Sequence, residues 1–152
     1  TETSPPYATD FGSVPAGSVT DSPQKIWFDF ATNANSGGNM YVYSQNGGLN
    51  SAAVSYTITS ATADLAVASE GFGAISQTAT QSSGGPLSAV SPYNGAGQNV
   101  GILNSSIREI YTASNPVVAG RTSFLLKAKS QTITPQATDY TEAITAIAAG
   151  NF

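Results

Sequence analysis

The chain has 152 residues, 40% of them hydrophobic and only 9% charged, with a net charge of −4 and a pI near 4.4. That length suits one domain that buries its own core without cross-links. The chain has only five Lys and Arg in all and no His or Cys. A phosphate-binding face for nucleic acid is thereby excluded, as are His catalysis, Cys nucleophiles, His/Cys zinc sites and disulfides.

An average soluble domain is about 25% charged, so this surface must be wetted by other groups, here Ser, Thr, Asn and Gln. Such a neutral surface favours an exported or wall-associated protein over a cytosolic enzyme. The shortage of basic residues also speaks against an anionic membrane surface as partner. No apolar run reaches the ~18 residues needed to span a bilayer. No signal peptide is visible at Thr1, so an exported protein would be represented here by its mature form.

Thr1 to about Asp10 reads as an extended arm, because Pro5-Pro6 blocks a helix and disfavours a central strand. The stretch 11–23 carries Pro15, Gly17 and Pro23 and is either an edge strand or a loop. Lys25 to Thr32 (KIWFDFAT) is the strongest strand, with Ile26, Phe28 and Phe30 on one face and Trp27 and Asp29 on the other. A turn at NANSGGN precedes a second strand, Met40 to Ser44, in which Tyr41 and Tyr43 share a face. Gln45-Asn46-Gly47-Gly48 is a turn signal, and Ala53 to Ser60 alternates as a third strand.

Asp64 to Ala68 and Phe72 to Ile75 are weaker strands, and Ser76 to Gly97 reads as long polar loops with one short strand at most. Val100 to Leu103 is a short apolar strand. Ile107 to Thr112 is preferred as a strand, although Ser106 and Glu109 have the spacing of a helix capping box. Arg121 to Ala128 is a strand whose Lys127, with Lys129 just beyond it, is expected to solvate one face. Tyr140 to Ala149 closes the chain as a strand, with helix as the alternative that its alanines allow. Short strands between frequent turns predict an all-β fold, an antiparallel β-sandwich with long polar loops. Residues 1–20 form its arm or edge strand and 21–152 the sandwich.

Two stretches resemble a known group. Thr32-Asn33-Ala34-Asn35 after a strong strand, and the terminal Tyr140-Thr141-Glu142-Ala143-Ile144-Thr145, are similar to bacterial surface β-sandwich domains of the WxL and spore-coat-U type. No Trp-x-Leu is present, since Trp27 sits in Trp-Phe-Asp, and the cysteines common in spore-coat-U domains are missing. The resemblance implies an Ig-like or pilin-like sandwich that is extracellular and acts in adhesion, a coat or a fibre.

Few groups remain that could carry chemistry. The carboxylates Asp29, Asp64, Glu70, Glu109, Asp139 and Glu142 show no recognisable catalytic spacing. Trp27, Tyr41, Tyr43, Tyr93 and Tyr111 could stack on sugar rings, although aromatics in a sandwich usually fill the core. Calcium is a candidate only at Asp64 with Glu70, or Asp10 with Asp21, and no other cofactor is implied. Lys25 and Asn151 are a candidate isopeptide pair, assisted by Asp29 or Glu142. Asn104-Ser105-Ser106 matches a glycosylation sequon.

The expected function is therefore non-enzymatic: a structural subunit of a surface layer, coat or fibre. It would assemble through strand edges or the N-terminal arm, with itself or other surface proteins. A carbohydrate-binding or adhesin module that takes glycans is the alternative, and a two-carboxylate hydrolase is the third.

Overall fold

The computed structural model describes Pro5 and residues 7–152. The first part of the expected arm, Thr1 to Ser4 with Pro6, lies outside the described residues. Among the described residues the fold is all-β, without a helix. In chain order the strands are β1 (Val19–Asp21), β2 (Ile26–Thr32), β3 (Gly38–Ser44), β4 (Gly48–Ser51), β5 (Tyr56–Thr59), β6 (Ala63–Asp64), β7 (Gly71–Thr80), β8 (Ser83–Gly84), β9 (Leu87–Ala89), β10 (Asn99–Val100), β11 (Arg108–Ala113), β12 (Val117–Lys129) and β13 (Ile144–Gly150).

The 13-residue β12 is the spine of the first sheet. Phe124 pairs with Ile26 of β2 on one side and Ser76 of β7 on the other. Lys127 pairs likewise with Asp21 of β1 and Gly73 of β7. So β1 and β2 run in succession along one edge of β12, and β7 and β8 along the other, all antiparallel. Near its start, the far side of β7 meets bridges from Ser60 to Phe72 and from Gly101 to Ala74. The second sheet has the order β13-β3-β11-β9, also antiparallel.

The two sheets face each other across one apolar core of Phe30 from β2, Met40 and Val42 from β3, Tyr111 from β11, and Phe124 and Leu126 from β12. Strand alternation produces this face. In β3, Met40, Val42 and Ser44 are buried while Asn39, Tyr41 and Tyr43 are partly exposed. Each large apolar side chain so buried contributes about 1.5–3 kcal/mol. Polar contacts also cross the layers: the Tyr111 hydroxyl donates to the Ser123 carbonyl, and Thr122 Oγ1 lies 3.5 Å from Met40 Sδ.

Several local expectations change. The expected strand 53–60 is half turn. The real hairpin pairs β4 with β5, from Gly48 opposite Thr59 to Ser51 opposite Tyr56, with residues 52–55 as its turn. The region 76–97 is less irregular than its polarity predicts, because β7 continues to Thr80 and β8 and β9 follow. The ladder to β12 supplies backbone hydrogen bonds that polar side chains do not oppose. The last strand begins at Ile144, not Tyr140, and residues 130–143 form an irregular connection.

Lys127 and Lys129 do not solvate a face. They are only 4% and 7% exposed, because the β6–β10 pair and its flanking loops cover that side of β12. Lys127 Nζ donates to Asp21 Oδ1 at 2.6 Å and Gln98 Oε1 at 3.0 Å. Lys129 Nζ donates to the carbonyls of Leu65 at 2.9 Å and Ala66 at 3.2 Å. Their partners make these buried ammonium groups tolerable.

Candidate functional site

The outermost strands of the two sheets meet at an open seam. Among the described residues, β2 pairs only with β12, and β13 pairs only with β3. Their other edges therefore present unpaired N–H and C=O groups along the same opening. Phe30 plugs the opening from inside: a Cβ placed on Gly38 would lie 2.6 Å from its ring and 2.5 Å from the Ala149 carbonyl. Nearer the start of β2 the seam widens into a cleft of about 1290 Å³, lined by Ile26, Phe28, Leu49, Phe124, Leu126 and Ile144 among others.

Residues 7–16 and 130–142 close this cleft in part. Phe11 packs edge-on against Phe72, with ring centroids 6.3 Å apart. Gly17 N donates to Ser130 O, and Ser130 Oγ to Val14 O. The described part of the arm thus folds back on its own core, and Val19 to Asp21 already belongs to the sheet. The sequence β13, ITAIAAG, contains no charged residue and no proline, and six of its seven residues are exposed. Val118 and Phe152, 54% and 97% exposed, extend the apolar character beyond it.

The five aromatics proposed for sugar stacking are not one platform. Tyr93 and Tyr111 are 1% and 0% exposed and belong to the core. Trp27 faces outward on the first sheet, with the Arg121 guanidinium carbon 4.8 Å from its ring centroid. Tyr41 and Tyr43 face outward on the second sheet. A flat ligand therefore meets at most one sheet's aromatics, and the Trp27 face already carries a cation.

The proposed isopeptide pair is also separated. Lys25 precedes the first residue of β2, whereas Asn151 follows Gly150, which lies against Thr32 at the other end of that strand. Seven strand residues put those ends about 20 Å apart. Asn151 Nδ2 instead donates to Asn39 Oδ1, and Asn39 donates in turn to Glu109.

Each carboxylate considered for chemistry has a partner. Asp29 makes a 3.6 Å ion pair with Arg121 and its side chain is 77% exposed. Glu70 accepts from Tyr56 and Thr134. Asp64 accepts from the Ala66 amide, and Asp139 from Ser51 and the Ala53 amide. The Ser51 hydroxyl, with the Ala53 amide, holds the Asp139 carboxyl below its ordinary value. Glu142 accepts from the amides of Gln45, Asn46 and Gly48, and so ties the 45–48 loop to the entry of β13.

For calcium, Asp10 accepts from the Gly12 amide while Asp21 pairs with Lys127. Among the described residues no three His, Cys, Asp or Glu side chains group so as to hold a metal ion. In the sequon, Asn104 Oδ1 accepts from the Ser106 amide and Arg108 Nε.

No family model, curated protein or solved structure matches this chain.

The buried tyrosines of the core set an alkaline limit on the fold. Burial pushes the hydroxyls of Tyr93 and Tyr111 up to about 12 from 10.0. Both stay protonated in the folded chain where the unfolded chain would ionise. Their contribution is complete below pH 10 and is lost as pH rises from 10 towards 12. Stability followed by urea unfolding is expected to fall across that window. Tyr93→Phe should flatten the fall, and an equally steep decline in that variant would contradict the assignment.

Proposed function

We propose that this protein is a structural subunit of an extracellular surface layer, coat or fibre, and that it works by assembly rather than catalysis. The observation that carries this reading is the seam, where two strand edges with free backbone groups flank a cleft lined by both apolar and polar side chains. A strand from a second copy could satisfy one of those edges while its side chains enter the cleft. Soluble monomers usually guard such edges with lysine, proline or bulges. β13 has no charged residue and no proline, and its ladder with β3 runs without a register shift. The sparsely charged surface fits a long-lived assembly outside the cell, since there is little net charge to repel a neighbour.

On this reading the partners are further copies or other surface proteins, and the sandwich is of an Ig-like or pilin-like kind. The N-terminal arm is the natural inserting segment, because Phe11 and Val14 already contact the core of their own chain.

Purified protein is expected to scatter light as species larger than a monomer. The double variant Thr145→Lys, Ile147→Lys, on the outward face shared with Tyr43 and Tyr41, should remain monomeric with an unchanged β-sheet circular dichroism spectrum. A wild-type protein that stays monomeric at high concentration, or a double-lysine variant that polymerises equally, would refute the edge route. Removing residues 1–16 separates arm insertion from direct edge pairing. Polymers that persist unchanged without the arm leave the edges as the contact.

A further inference from the structure

The candidate pair for a cross-link, Lys25 and Asn151, stands apart, but the chain brings together another amine, amide and acid. Lys127 lies in the middle of the first sheet and its side chain is 5% exposed. Its Nζ is 2.6 Å from Asp21 Oδ1 on the neighbouring strand and 3.0 Å from the amide oxygen of Gln98. Gln98 is held in place by its own backbone, whose carbonyl accepts from Leu65 N at 3.0 Å. β12 and β1 are in ladder register here, with Lys127 opposite Asp21, so the acid and the amine sit on adjacent rigid backbones. A nucleophile, an acyl group and a proton carrier thus meet at one place, with the amine buried and the Asp21 side chain 49% exposed, and such positioning makes an otherwise slow bimolecular step intramolecular.

We propose that Lys127 and Gln98 form an intramolecular amide cross-link promoted by Asp21. The Lys127 ammonium gives a proton to the Asp21 carboxylate, leaving a neutral amine beside a carboxylic acid. The amine attacks Cδ of Gln98, forming the Nζ–Cδ bond. Asp21 hands its proton to the amide nitrogen and takes up the one released from Nζ. The Cδ–Nε2 bond breaks and ammonia leaves. No oxidant, metal or second molecule is consumed, and the product lacks one ammonia relative to the sequence. The new bond would join the spine strand to the loop that precedes β10, two segments otherwise held by side-chain hydrogen bonds. This inference concerns chemistry within one subunit and does not depend on the assembly reading.

The test uses the wild-type chain. After incubation in the folded state, its intact mass is expected to fall short of the sequence mass by one ammonia. Trypsin cannot cut after an acylated lysine, so tandem mass spectrometry of the digest should find the peptide containing Lys127 joined to that containing Gln98. Lys127→Arg and Gln98→Ala should each keep their full sequence masses, and Asp21→Asn should slow the loss at least tenfold. The full sequence mass in aged wild-type protein would overturn the proposal. So would an ammonia deficit that maps to a succinimide at Asn46-Gly47 or Asn94-Gly95, because that product contains no joined peptide. The wild-type result stands even if a variant fails to fold.

Discussion

Gly37→Ala is expected to be among the most damaging single substitutions in this chain, lowering stability by about 2–5 kcal/mol in urea unfolding. Two costs add. Gly37 has φ +71°, a conformation that costs an L-residue about 1–2 kcal/mol. The added methyl would also lie 2.0 Å from the Ala113 carbonyl oxygen and 2.8 Å from the Asn115 amide nitrogen. Both obstacles are backbone, so relief requires the turn to move away from the end of β11, at a further cost of about 1–3 kcal/mol. That movement would also strain the bond from Asn151 N to the Gly37 carbonyl, which holds the exit of β13. Gly47→Ala is the control. It has nearly the same φ, +72°, but nothing within 4 Å of the added methyl, so only the conformational cost of about 1–2 kcal/mol applies. Equal losses in the two variants would show that the close approach at Ala113 is not decisive.

Tyr111→Ala is expected to cost about 3–5 kcal/mol, the usual range for deleting a buried aromatic ring. Its ring is fully buried on β11 and its hydroxyl crosses to the Ser123 carbonyl of β12, so one side chain fills the core and links the sheets. Tyr111→Phe keeps the ring and removes the donor, for an expected loss of about 1–2 kcal/mol. At the same place, the buried Ser123 hydroxyl has no hydrogen-bond partner among the described residues. Ser123→Ala removes that unpaired group and leaves the carbonyl that Tyr111 uses. Its stability is expected to match or exceed wild type by up to about 1 kcal/mol. Chemical unfolding of the three variants checks the set. A Tyr111→Phe loss as large as that of Tyr111→Ala would place the energy in the hydrogen bond rather than the packing.

The strands that alternate cleanly were legible from sequence. Ile26, Phe28 and Phe30 share the inner side of β2, and Met40 and Val42 that of β3, because period-two burial needs no knowledge of partners. The β4–β5 hairpin was hidden by its composition. Ala52 to Ser55 turns without glycine or proline, with Ser55 at φ 50°, while Gly48 and Asn50, residues typical of turns, lie in a strand. The second half of β7 is polar and is held by its ladder to β12, a contact that local sequence cannot announce.

The lysines illustrate the same limit. What buries Lys127 and Lys129 is Gln98, 29 residues away, and Leu65, 64 residues away. The seam was least legible of all. β13 mixes the strand formers Ile144, Thr145 and Ile147 with three alanines and a glycine, and its free edge follows from the sheet order, in which β3 has β11 on its other side.

The central place of β12 has a consequence for the order of events during synthesis. The strands that flank it end at Thr32 and Gly84, yet the strand they share spans only Val117–Lys129. A nascent chain that has reached residue 100 holds both flanks and no spine, so the first sheet cannot close from either side. At ribosomal speeds of roughly 5–20 residues per second, those flanks wait a few seconds for their partner. Every ladder of that sheet then forms in one late step across a long sequence separation, and such non-local closure makes folding slow. A chain passed to an export machine before residue 129 emerges would still be threadable, because the element that locks it has not yet arrived.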